Sequence, residues 1–92
     1  MFICVIKNEV QENHIQDYIK VTKQFADEIK NIPGCIKTIV LQDMVNKNVV
    51  VNVEIWDSQE SKEKDSGNIF KKYKPELKKY FLSNQTETYT IQ

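Results

Sequence analysis

The sequence predicts an α+β fold, a ferredoxin-like βαββαβ sandwich in which a four-stranded antiparallel sheet carries its helices on one face. Three features of the 92 residues point to it. Short β-rich segments, continuous in apolar residues at the start and alternating in the middle and at the end of the chain, have the length and pattern of strands. Apolar residues recur at three- and four-residue steps after the first strand, as a helix requires. A turn-linked pair of strands separates the two helical regions.

Residues 2 to 10 open the fold. Phe2-Ile3-Cys4-Val5-Ile6 is β-rich and apolar on both alternating faces, the pattern of a strand covered from two sides. From Glu12 the period changes. Ile15, Tyr18, Ile19, Thr22, Phe25, Ala26 and Ile29 take one face, while Gln16, Asp17, Lys20, Lys23, Asp27 and Lys30 take the other, which predicts an amphipathic helix. Asn31-Ile32-Pro33-Gly34 ends it, because proline disfavours helical backbone before it and glycine tolerates a left-handed exit. Cys35 to Met44 reads as the second strand, Val45-Asn46-Lys47-Asn48 as a turn, and Val49 to Trp56 as the most β-branched strand of the chain. Asp57 as N-cap and Glu60 three residues on predict the start of the second helical region. Ser66-Gly67-Asn68 predicts a break there, so two helical pieces are expected, the later one running through Ile69, Phe70, Tyr73, Leu77, Tyr80 and Phe81. Thr86 to Ile91 closes the chain as the fourth strand.

The length suits one domain over residues 1–92 and excludes a two-domain enzyme. With 40% hydrophobic and 28% charged residues the chain is too apolar for a disordered tail. A sandwich of this kind covers one sheet face only, yet the first and third strands are apolar on both. A second subunit packed sheet to sheet resolves this, so a homodimer is expected.

Thirteen lysines balance thirteen acids, and there is no arginine. That removes both the positive field and the planar guanidinium forks on which nucleic-acid readers depend, so no nucleic-acid partner is expected. The longest apolar stretch, Phe2 to Ile6, is far below the roughly 20 residues of a membrane span and lacks the basic start and small-residue cleavage site of a signal peptide. A cytoplasmic protein without membrane contact is the expectation. Cys4 and Cys35 read as reduced packing residues. One histidine, His14, and two dispersed cysteines make no zinc set. Two glycines make no phosphate loop, so neither metal nor nucleotide cofactor is expected. The lysines at 71, 72, 74, 78 and 79 read as the solvated face of a helix whose aromatics face inward.

Several segments together resemble the antibiotic biosynthesis monooxygenase family. These are Ile32-Pro33-Gly34-Cys35 after the first helix, the turn after Gln42-Asp43, Glu54-Ile55-Trp56-Asp57-Ser58, and Ser66 followed by Ile69-Phe70. The resemblance implies a homodimer whose two sheets form a dimeric α+β barrel, with a pocket in each subunit between sheet and helices. Some members oxygenate quinols or anthrones with molecular oxygen and no metal or flavin, others degrade haem, and many have no established activity.

Asn52, Glu54 and Trp56 alternate along one strand and therefore share a face, with Asn52 and Trp56 about 13 Å apart along the backbone. The spacing is similar to the anthrone-oxygenating branch, where an asparagine four residues before the tryptophan touches substrate. Lys62 and Glu76 stand roughly where that branch has a tyrosine and an arginine. In this reading the Asn52 amide stabilises a substrate anion and Trp56 stacks on the ring; in the competing one both pack structurally. Glu54 interrupts a Val/Ile strand, so its carboxyl is expected to be buried, either as a general base or as a structural hydrogen-bond partner to a lysine or helix backbone. Asp65 falls where many members carry a histidine, and it stands as a second proton-handling candidate or as an acid ending a helical piece. Phe70 and Tyr73 are expected to line the pocket. Haem degradation is disfavoured, since Lys74 and its neighbours occupy the stretch where an axial histidine is needed. The implied activity is cofactor-independent monooxygenation of a small aromatic quinol, phenol or anthrone. The alternative is a non-catalytic dimeric protein that sequesters a lipophilic metabolite.

Overall fold

A computed structural model describes residues Met1–Gln92. It has β1 (Phe2–Val10), a 3-10 turn (Glu12–His14), α1 (Ile15–Ile29), β2 (Cys35–Gln42), β3 (Val49–Trp56), α2 (Gln59–Lys78) and β4 (Phe81–Thr90). The four strands form one antiparallel sheet in the order β2-β3-β1-β4, the ferredoxin-like arrangement. No helix is long and apolar enough to cross a membrane.

Register sorts the side chains. Every second residue of β3, from Val50 to Trp56, is buried under the helices, and Cys4, Asn8 and Val10 of β1 lie on the same side. The core has two centres there. Val10, Tyr18, Val50 and Leu77 pack at one end, and Phe25, Ile29, Ile32 and Trp56 at the other. Thr38 ties β2 to α1 by donating its hydroxyl to the Ala26 carbonyl at 3.1 Å.

The opposite sheet face is apolar across three strands: Ile3 and Val5 of β1, Ile39 and Leu41 of β2, and Val51, Val53 and Ile55 of β3. No element of the chain covers it; Leu41 is 47% exposed and Tyr89 of β4 is 50% exposed.

Several boundaries differ from the sequence expectation: β2 stops at Gln42 rather than Met44 and α2 at Lys78, short of Tyr80 and Phe81, and three further differences have a clear physical reason. First, α2 runs unbroken through Ser66-Gly67-Asn68 and Pro75 instead of forming two pieces. Ser66 bonds back to the Lys62 carbonyl without interrupting the helix, and the packing of Ile69, Tyr73 and Leu77 on the core outweighs the glycine. Pro75 withholds a donor from the carbonyl of exposed Lys71, where solvent replaces it. Second, the N-cap is Ser58 rather than Asp57; its hydroxyl accepts from the Ser61 N–H at 3.2 Å. Asp57 instead accepts from Ser61 and Ser58, which lowers its carboxyl from the ordinary value. Third, β4 begins at Phe81, not at Thr86. Leu82-Ser83-Asn84-Gln85 has no strand-like pattern, but pairing with β1 past a bulge at Glu9/Val10 recruits it.

Gly67 offers a clean test of the unbroken helix. A Cβ there meets nothing within 4 Å. Gly67→Ala is therefore expected to stabilise the protein by about 0.5–1 kcal/mol, read as a higher thermal midpoint, because alanine removes the entropic cost of glycine in a helix. A break at this position would make the substitution neutral or harmful.

Candidate functional site

Between α2 and the helix-covered sheet face lies a cleft with two connected ends. The inner cavity, about 260 Å³, is walled by Asn52 and Glu54 of β3, Ile6 and Asn8 of β1, Tyr18, Phe25 and Ile29 of α1, and Lys62, Ser66 and Phe70 of α2. The outer one, about 310 Å³, shares Asn8, Tyr18, Phe70, Leu77 and Asn84 with it and adds Lys74, Lys78 and Phe81. The cleft exists because α2 rides on α1 through aromatic contacts and leaves space above β1 and β4. Phe25 meets Phe70 and Tyr73 edge-on, with ring centroids 6.2 and 5.8 Å apart.

Glu54 is the chemical centre of the inner end. It is 4% exposed, and its Oε1 accepts from Trp56 Nε1 at 3.0 Å. The second carboxylate oxygen has no protein hydrogen bond and is the one free to meet a ligand. Two residues along the strand, Asn52 Nδ2 donates to the Thr22 hydroxyl at 3.1 Å, which fixes the amide and leaves its other N–H free. Lys62 brings a half-buried cation to the same cavity and forms no ion pair within 4 Å. Burial pushes the Tyr18 hydroxyl up to about 12, so it stays protonated at neutral pH and serves as a donor rather than a base. Asn8 is spent structurally, donating to the Val50 carbonyl at 3.2 Å.

The structure thus brings together Asn52, Glu54 and Phe70 from the sequence-derived set. It places the others differently. Trp56 is fully buried with Phe25, Ile29 and Ile32 and forms no part of the cleft wall, so it is not placed to stack on a ligand; it holds Glu54 from beneath. Glu54 accordingly pairs with an indole instead of the expected lysine or helix backbone. Asp65 is exposed on α2 and lies outside the wall. Tyr73 also lies outside it: its hydroxyl donates to the Glu28 carboxylate, which Lys72 meets at 2.9 Å, and these contacts lock α2 to α1. They lower the Glu28 carboxyl, the tyrosine hydroxyl first and Lys72 second.

Thr22, Tyr18 and Lys62 were not singled out for chemistry by sequence reasoning. The signal for Thr22 was a polar residue on the apolar stripe of α1; Lys62 carried only its place roughly where a related branch has a tyrosine, because a lysine in a lysine-rich helix otherwise reads as solvated. No three His, Cys, Asp or Glu side chains cluster to hold a metal. His14 lies apart, its ring 5.0 Å from that of Tyr80. Burial raises the thiols of Cys4 and Cys35, which keeps both protonated and poorly nucleophilic.

No curated protein sequence matches the chain significantly. Among solved structures, a conserved protein from Methanosarcina mazei Go1 superposes with a TM-score of 0.81 at 23% identity, covering 100% of this chain and 94% of that one. PA3566 from Pseudomonas aeruginosa gives 0.87 at 11% identity, with 99% and 93% covered. SnoaB from Streptomyces nogalater, a cofactor-independent oxygenase, gives 0.83 at 16% identity, with 99% and 92% covered. At such identities the likeness speaks for the fold, while sequence carries the kinship: the family model for antibiotic biosynthesis monooxygenases matches residues 1–66, from β1 through the first part of α2. With the strand that bears Asn52 and Glu54 inside that match, the chain belongs to the antibiotic biosynthesis monooxygenase family.

Proposed function

We propose that this protein is a cofactor-independent monooxygenase that oxidises a small aromatic quinol, phenol or anthrone with molecular oxygen. The observation that carries the reading is a buried carboxylate, Glu54, beside a fixed amide, Asn52, in a cleft whose remaining wall is half apolar or aromatic, with Phe25 and Phe70 on the helix side. Oxygen reacts slowly with a neutral phenol and far faster with its electron-rich anion. Glu54 takes the substrate proton, and the free Asn52 N–H and the Lys62 ammonium stabilise the anion formed. For an anthrone the ring methylene and O₂ become a ring carbonyl and one water, so substrate and oxygen alone balance the reaction.

The working unit in this reading is a homodimer, with the uncovered apolar sheet face as its contact. Light scattering at micromolar concentration is expected to give twice the chain mass, and Val53→Lys, which places a charge in the centre of that face, should give the monomer. A wild-type monomer of native-like stability would remove the dimer from the proposal.

Oxygen consumption by metal-free protein with reduced naphthoquinols and anthrones tests the activity. Uptake above the spontaneous rate is expected, and Asn52→Ala should lower it roughly 10- to 1,000-fold, as loss of an anion-stabilising donor does. Saturable binding without uptake would instead assign the protein to ligand sequestration.

A further inference from the structure

We propose that the substrate is itself an anion, a hydroxylated aromatic acid whose ring lies along the cleft against Phe70 and whose carboxylate sits at the outer end with Lys74 and Lys78. The inference rests on the reading of the cleft as the oxidation site and adds the charge and orientation of its occupant.

The charges of the wall are unevenly placed. Glu54 and Lys62 stand at the inner end, while Lys74 and Lys78 stand at the outer end with no acid beside them in the wall. These two lysines are one helical turn apart on α2, so their side chains share the same lip of the cavity. Two nearby lysines are neutralised: Lys72 of α2 pairs with Glu28 at 2.9 Å, and Lys79, just past the helix, draws off Glu76 at 3.1 Å. Lys74 and Lys78 form no ion pair. Of the five lysines from 71 to 79, pairing therefore leaves Lys71, Lys74 and Lys78 free, and the last two of these line the cleft.

The length of the cleft sets the shape of the ligand. Glu54 lies opposite Cys4 in the sheet, and Asn84, where the inner and outer cavities share their wall, lies opposite Asn8. Four residues of β1 separate those levels, about 13 Å at roughly 3.3 Å per residue. That accommodates two fused rings with a hydroxyl at one end and a carboxylate at the other. Phe70 belongs to both ends and offers its ring to the middle of the ligand.

The probes are 6-hydroxy-2-naphthoate and its uncharged carboxamide, which are stable in air and differ only in the distal charge. Calorimetric titration at low ionic strength should show the carboxylate bound about three- to tenfold more tightly, the size expected of two solvent-facing ammonium groups. The preference should shrink on going from about 20 to about 500 mM salt, and in Lys74→Gln/Lys78→Gln it should fall to within twofold of unity. Both side chains are exposed, and circular dichroism verifies that the double variant is folded. Equal affinity for the two probes, or a preference that survives the double substitution, overturns the inference while leaving the oxidation site standing. Failure of both probes to bind overturns the cleft as a ligand site, and the inference with it.

Discussion

Glu54→Gln is expected to reduce oxygen uptake on the order of 10²- to 10⁴-fold, the usual contribution of a positioned general base, while shifting the thermal midpoint by only a few degrees. The substitution is isosteric. Glutamine keeps a carbonyl oxygen where Oε1 accepts from Trp56 Nε1 at 3.0 Å, so the buried indole N–H stays satisfied. What disappears is the ability to take a proton. Glu54→Leu provides the contrast: it strands the Trp56 N–H inside the core and should cost about 1–3 kcal/mol of stability as well as activity. A Gln variant that turns over at the wild-type rate would strip Glu54 of its role as base. A Gln variant that unfolds would make the carboxylate structural.

Glu54 also illustrates what was legible in the sequence. An acid in a Val/Ile strand stands out because alternation fixes which way it points, and the same rule fixed Asn52 beside it. Strand and helix periods likewise located β1, α1 and the β2–β3 hairpin. The rest depended on contacts that a one-dimensional pattern does not carry. The polar first half of β4 is a strand only because β1 offers it hydrogen bonds, and α2 crosses Gly67 only because the residues around it are anchored to α1 and the sheet. The resemblance places Asp65 over the pocket, but a single residue step, about 100° around a helix, decides between cleft and solvent, and Asp65 falls on the solvent side where its neighbour Ser66 and Lys62 fall inside. Trp56 was placed on the correct face of its strand, and burial depth made it the support of Glu54 rather than a wall of the cleft.

Gly34→Ala should produce the largest loss of stability, about 2–5 kcal/mol, and its cause can be divided by experiment. Gly34 has φ +95°, in the left-handed region, where a side chain costs about 1–2 kcal/mol. A Cβ would also lie 2.5 Å from both Cβ and Oγ of Ser61 and 2.9 Å from an Asp57 carboxylate oxygen. Crowding of that kind costs about 1–3 kcal/mol when the surroundings must shift. The shift has a direction. The Gly34 carbonyl accepts from the Asp57 N–H at 2.8 Å, so this residue joins the end of the α1–β2 loop to the start of α2. Pushing Ser61 away moves the first turn of α2, and Lys62, the next residue, is part of the wall of the inner cavity. Chemical denaturation of Gly34→Ala, Ser61→Gly and the double variant separates the terms. If crowding dominates, the double variant is more stable than the sum of the single losses predicts, by about 1 kcal/mol or more, and ligand affinity recovers with it. Strict additivity would assign the whole cost to backbone conformation and free the position of α2 from any dependence on Gly34.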